Sequence, residues 1–237
     1  MKGIVFVLHG RRDRIAKANL EAAEKLAPLL DQAGILHRVG LLEGTYHTLE
    51  TALHELLSAG VTEFTVVPVL LFAATHVKED LPQRARQTLG AAPVQILEPL
   101  GTTVAIYQAL KDSLAAGFTE YPTRRGLLIA HGTPHYSEPN RQLQAIAENL
   151  SADLGREVIG VNYLGAANYL ELLAEFPAEA FVIQPFFLTE GQLVAKITEQ
   201  IRTGHGTFDR VLPTLESSPA ATAALKERLV SAGCIPS

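Results

Sequence analysis

The chain has no tryptophan, one methionine and one cysteine among its 237 residues. A single thiol, Cys234, excludes an intrachain disulfide and the several thiolates that an iron–sulfur cluster takes. No apolar run approaches the roughly 18 residues of a membrane span, and the first residues carry no signal-peptide pattern; a cytoplasmic location and no membrane partner are expected. Charge of one sign is not in excess either: 20 Lys and Arg stand against 25 Asp and Glu, for a net −5, with the two signs interspersed. That balance argues against a nucleic-acid partner. No Gly-x-x-x-x-Gly-Lys-Ser/Thr loop occurs, so ATP is not implied. Hydrolase readings are disfavoured as well, because there is no Gly-x-Ser-x-Gly elbow and Leu8 precedes His9 where an Arg-His-Gly phosphatase needs arginine.

What the chain does have is apolar residues, 47% of the total, in a regular alternation. The run 3–8 reads as a strand, and the spacing of Ala22, Leu26, Leu29 and Leu30 predicts an amphipathic helix over 15–33. Strands ending at Glu43, over 64–72 and over 94–97 follow, separated by helices over 49–59, 76–89 and 103–116. The order βαβαβαβα predicts a parallel four-stranded sheet with helices on both faces, in flavodoxin-like or Rossmann-like layers. A polar connector over 117–125, with Pro122, interrupts the pattern, which then restarts: strands over 126–130, 158–164, 180–187 and 209–212, and helices over 140–154, 168–176, 193–203 and 220–231. The expected organisation is two similar α/β domains, 1–118 and 124–237, each about the size of a small independent core. Such a fused pair is expected to act as a monomer.

The duplication draws attention to one short motif. Gly3-Ile-Val-Phe-Val-Leu-His9-Gly10 returns as Gly126-Leu-Leu-Ile-Ala-His131-Gly132. In an open parallel sheet, ligands bind outside the carboxyl ends of the strands. In the first half, His9 ends strand one, Glu43 ends strand two and His76 follows strand three, so three potential metal ligands converge on one edge. Two imidazoles and a carboxylate suit a borderline divalent ion and leave positions open for a substrate. In the second half, matching Leu41-Leu42-Glu43 with Tyr163-Leu164-Gly165 sets glycine opposite Glu43, and Gln192 is expected opposite His76. Only His131 persists. The expectation is one metal site in the first half, with the second half forming the other wall of a cleft and His131 as an auxiliary group.

At these residues the chain resembles the class II tetrapyrrole chelatases that act on sirohydrochlorin, in their fused two-domain form. The resemblance rests on strand-His9-Gly10, on Glu43 and on His76-Val-Lys-Glu-Asp-Leu-Pro82, and it departs from the family pattern at Arg11 and at Ala74-Thr75. It implies a chelatase-like fold and ATP-independent insertion of Fe2+ or Co2+ into sirohydrochlorin, on the way to siroheme or cobalamin. His9, His76 and Glu43 would then be catalytic and metal-binding, with the metal a substrate and no tightly bound cofactor. Imidazole, with an ordinary pKa of about 6.5, can both ligate metal and accept pyrrole protons. Arg11, Arg12, Arg14 and Lys78 are expected partners for the carboxylates of the tetrapyrrole. A non-catalytic metal-delivery protein is the alternative reading.

Overall fold

Seven residues with a single charged side chain, Lys2–Leu8, form strand β1, around which the first sheet is built. A computed structural model of the chain describes residues 1–10, 16–205 and 209–236, with the side chains of His76 and Ser217 outside the described residues. β1 pairs in parallel with β2 (Leu36–Leu41) on one side and β3 (Glu63–Pro68) on the other, and β4 (Val94–Ile96) completes the order β2-β1-β3-β4. Every residue of β1 from Gly3 onward is buried, as a central parallel strand covered on both faces demands. Its period of two sends Val5 and Val7 into one core with Phe64 and Val66. Helices α3 (Leu49–Ser58) and α4 (Leu81–Leu89) close that core with Leu53, Leu56, Leu81 and Ala85.

The helix expected over 15–33 is two helices, α1 (Lys17–Glu24) and α2 (Ala27–Gln32). Pro28, in the first turn of α2, has no N–H to give and cannot continue the preceding helix. The strand expected over 64–72 leaves the sheet after Pro68, and the apolar residues beyond it line the connection to α4 instead.

The second sheet repeats the first. β5 (Arg125–Gly132), β6 (Val158–Leu164), β7 (Phe181–Pro185) and β8 (Arg210–Val211) pair in parallel in the order β6-β5-β7-β8. Helices α7 (Tyr169–Glu175) and α8 (Gln192–Gly204) cover one face, packing Tyr169, Leu173, Ile197 and Ile201 on Leu127, Ile129, Phe181 and Ile183. On the other face lie α6 (Glu138–Leu154) and α5 (Val104–Glu120). Gly160 of β6 meets Leu143 of α6, and Gly117 of α5 lies so close to Val182 that an added Cβ would come within 2.6 Å of its methyl.

That last contact separates packing from linear order. The chain forms two compact units, Met1–Ala105 with Pro219–Ser237, and Ile106–Ser218. Helix α5 ends the first repeat in sequence but joins the second unit, while α9 (Ala220–Ser231) ends the second repeat and packs on α1 in the first. The units therefore differ from the linear halves 1–118 and 124–237 by an exchange of final helices. Among the described residues, no helix is long and apolar enough to cross a membrane.

Candidate metal centre

His9 directly follows β1, and Gly10 turns the chain there with φ of +64°. A side chain at residue 10 is excluded twice over: the positive φ favours glycine, and a Cβ would lie 2.3 Å from the Glu43 carbonyl oxygen. The turn brings the Gly10 carbonyl to 2.7 Å from His9 Nδ1. A carbonyl can only accept, so Nδ1 carries the proton, and in the neutral imidazole the lone pair is on Nε2. Nε2 faces Glu43 Oε1 at 3.8 Å. The two loops are also tied through the backbone, since the Leu42 and Glu43 N–H groups donate to the Leu8 and His9 carbonyls at 3.0 and 2.9 Å.

A separation of 3.8 Å exceeds a hydrogen bond but suits two ligands of one ion. Both side chains are a little under half exposed, so the pair is open to an incoming ion and substrate.

His76 opens a single π-turn, His76–Asp80, that runs into α4. This places its backbone after β3, beside the strand that ends in His9. The extra residue of the π-turn is visible against the second unit. The buried series Val77, Leu81, Ala85 corresponds to Val194, Ile197, Ile201, one residue shorter in its first step. Such turns are inserted where a side chain must be re-aimed, often at functional sites. Lys78 lies in the same turn and is exposed. The His76 side chain, and Arg11, Arg12 and Arg14 entirely, lie outside the described residues. Among the described residues, no three His, Cys, Asp or Glu side chains form a ready-made metal cluster, and His9 with Glu43 is the pair brought together.

A clamp absent from the sequence reading holds Glu43 in place. Arg84 of α4 donates to both Glu50 carboxylate oxygens, at 2.6 and 2.7 Å, and to the Leu42 carbonyl at 2.7 Å. One guanidinium thus ties α3, α4 and the residue preceding Glu43. Its hydrogen bonds and charge hold the Glu50 carboxyl down at about 2, against the opposing effect of partial burial. Nothing in the local sequence marks two residues on different helices as partners.

The second unit preserves the frame and changes the chemistry. His131 Nδ1 meets the Gly132 carbonyl at 2.8 Å, and Gly132 has φ of +70°. A Cβ on Gly132 would strike the Leu164 carbonyl, as one on Gly10 would strike that of Glu43. Leu164, not Gly165, is therefore the counterpart of Glu43; Leu8 pairs with Leu41 but Ala130 with Asn162, so the connection from β5 to β6 is a residue shorter than that from β1 to β2, which shifts the match by one position. Carrying the strand register forward to Val77 and Val194 likewise sets Leu193, not Gln192, opposite His76. Neither leucine can ligate a metal. Around His131 stand instead Tyr163, its ring centroid 6.3 Å away, and Lys196, whose ammonium donates to the Tyr163 hydroxyl at 2.9 Å.

Comparison with known proteins agrees with the duplication. The CbiX family model matches the chain twice, over residues 3–116 and 125–232. The sirohydrochlorin ferrochelatase of Bacillus subtilis is 26% identical over 212 residues, covering 85% of this chain and 79% of that protein. The sirohydrochlorin cobaltochelatase of Sulfurisphaera tokodaii is 33% identical over 112 residues, 47% of this chain and 90% of that shorter protein. Among solved structures, SirB from Bacillus subtilis with Fe3+ superposes with a TM-score of 0.82 at 24% identity, covering 99% of this chain and 98% of that one. It shares the fold.

Proposed function

The chain belongs to the CbiX family, and on that basis we propose that it is a sirohydrochlorin chelatase, a lyase that inserts Fe2+ or Co2+ into the metal-free tetrapyrrole. The observation that carries the reading is the His9–Glu43 pair, with Nε2 facing a carboxylate oxygen 3.8 Å away. The metal is the substrate. Curated relatives named for iron and for cobalt insertion, and a SirB structure in complex with cobalt, support a site that takes either ion.

His9 and Glu43, with His76 from the neighbouring strand end, would replace waters of the incoming ion and hold it against the ring. As the ion enters, two pyrrole N–H protons must leave, so the dication replaces two protons and the ring core stays neutral. The Glu43 carboxylate, and an imidazole once it releases the metal, would accept those protons. Lys78, in the turn that begins with His76, and Arg11 and Arg12, which follow His9-Gly10, are assigned to the substrate carboxylates.

Metal-free sirohydrochlorin mixed with the protein and Fe2+ or Co2+ is expected to lose its visible absorption band in a metal-dependent way. A protein that binds the metal but leaves that spectrum unchanged would be a carrier, and the chelatase reading would fall.

A further inference from the structure

We infer that Tyr46, in the loop that carries Glu43, is a binding residue for the tetrapyrrole, its phenol ring stacking on the face of the macrocycle that receives the metal. The inference rests on the chelatase reading above and adds a residue of the first unit that holds the ring rather than the ion.

The loops that leave β2 and β6 can be matched residue by residue. The Leu41 N–H donates to the His47 carbonyl, and the Asn162 N–H to the Ala167 carbonyl, both at 2.8 Å. His47 and Ala167 share a left-handed backbone, with φ of +52° and +55°, and each is followed by a helix N-cap, Thr48 and Asn168. Glu43 matches Leu164, so the residues in between are Gly44-Thr45-Tyr46 in the first unit and Gly165-Ala166 in the second. The loop beside the metal pair is therefore one residue longer, and it presents a tyrosine where the other repeat has a methyl group. Two repeats with the same frame differ here in the one that keeps the ligands.

Tyr46 is 72% exposed, and among the described residues it is the one Phe or Tyr side chain left open to solvent to that degree. A ring in that position forgoes the burial that gives aromatic side chains most of their worth, until something flat covers it. Its place in the chain supplies the occupant. Three residues separate it from Glu43, so the two Cα atoms are at most about 10 Å apart, and a tetrapyrrole centred on the His9–Glu43 pair comes within reach of the phenol. The loop is anchored on both sides of Tyr46: the Glu43 N–H donates to the His9 carbonyl at 2.9 Å, and the His47 carbonyl accepts from Leu41. Little backbone ordering is left to be done on binding, which favours affinity. The ring offers a flat apolar face to the conjugated macrocycle, and its hydroxyl can stay in water.

The test compares wild type, Tyr46→Ala and Tyr46→Phe in three measurements: binding of metal-free sirohydrochlorin by absorbance, steady-state metal insertion, and binding of Co2+ to the protein alone. Tyr46→Ala is expected to raise Kd and KM for sirohydrochlorin about five- to twentyfold, with kcat within about threefold and Co2+ affinity within about twofold of wild type. Tyr46→Phe should recover most of the lost affinity. Should Tyr46→Ala fail to fold, Tyr46→Gln carries the same comparison. A Tyr46→Ala protein that binds sirohydrochlorin as wild type does, or a Tyr46→Phe protein that loses as much as Tyr46→Ala, overturns the inference alone. So does a Co2+ affinity that falls in step with that for the tetrapyrrole, since Tyr46 would then act through Glu43. A wild type that leaves sirohydrochlorin unmetallated with both Fe2+ and Co2+ overturns the chelatase reading and this inference with it.

Discussion

Replacing Glu50 by glutamine removes the charge from the clamp that holds the Glu43 loop, and its cost can be worked from the structure. The Glu50 carboxyl is held at about 2 against an ordinary 4.5, chiefly by its hydrogen bonds from Arg84. At about 1.4 kcal/mol per unit, the full linkage corresponds to roughly 3 kcal/mol. The side chains of Arg84 and Glu50 are 25% and 36% exposed, so solvent screening reduces this to about 1–2 kcal/mol. Because the folded-state value is depressed, the stabilisation is fully present above about pH 4.5 and disappears as pH falls toward 2. Urea denaturation of wild type and Glu50→Gln at pH 7 and at about pH 2.5 measures it. The gap should be about 1–2 kcal/mol at neutral pH and shrink to about a quarter of that at pH 2.5. Equal stability at pH 7, or a gap that persists undiminished in acid, would refute the reasoning. Since Arg84 also holds the Leu42 carbonyl, the variant should lose metal affinity at neutral pH by about 10-fold, as supporting partners of a ligand typically cost.

Two further outcomes follow from local geometry. Gly10→Ala sets a Cβ 2.3 Å from the Glu43 carbonyl at a positive φ, and should destabilise the protein by about 1–3 kcal/mol while abolishing metal insertion; chemical denaturation and the absorption assay read the two effects, and a fully active variant would contradict the strain argument. His205 has Nδ1 2.6 Å from Asp209 and Nε2 2.9 Å from the Phe176 carbonyl, so both nitrogens face acceptors and the imidazolium is favoured. Burial lowers its pKa, but the bonds to Asp209 and Phe176, with the Asp209 and Glu179 charges, outweigh that and raise it. The contribution is thus complete below the ordinary histidine value of about 6.5 and lost as pH rises through the higher folded-state value. His205→Gln should cost most in melts near pH 6 and least near pH 9, and a pH-independent loss would contradict this.

The alternation of elements was readable because buried parallel strands need nearly continuous apolar runs, and both β1 and β5 have them. Helix α9 and strand β6 begin and end where the apolar pattern does. The exchange of α5 and α9 was not readable, since an apolar helix face does not say which of two similar sheets it will cover. Nor was the π-turn at His76, because one added residue leaves the helical period nearly intact. His9 and Glu43 could be paired from their places at adjacent strand ends. Arg84 could not, because its partners lie on another helix and on a loop carbonyl. The counterpart of Glu43 was displaced by one position for a simple reason: loop length is free to drift while strand register is not.

The most direct test of the account sets His9→Ala beside His131→Ala in the sirohydrochlorin absorption assay, with Fe2+ and with Co2+. Both histidines occupy the same strand-end frame with the same Nδ1 bond to a glycine carbonyl, so the fold cost of the two changes is matched. His9→Ala should reduce insertion by at least about 100-fold, as loss of a direct ligand exceeds the cost of losing a supporting one. His131→Ala should retain kcat within about tenfold. An inactive His131→Ala beside an active His9→Ala would put the metal centre in the other repeat.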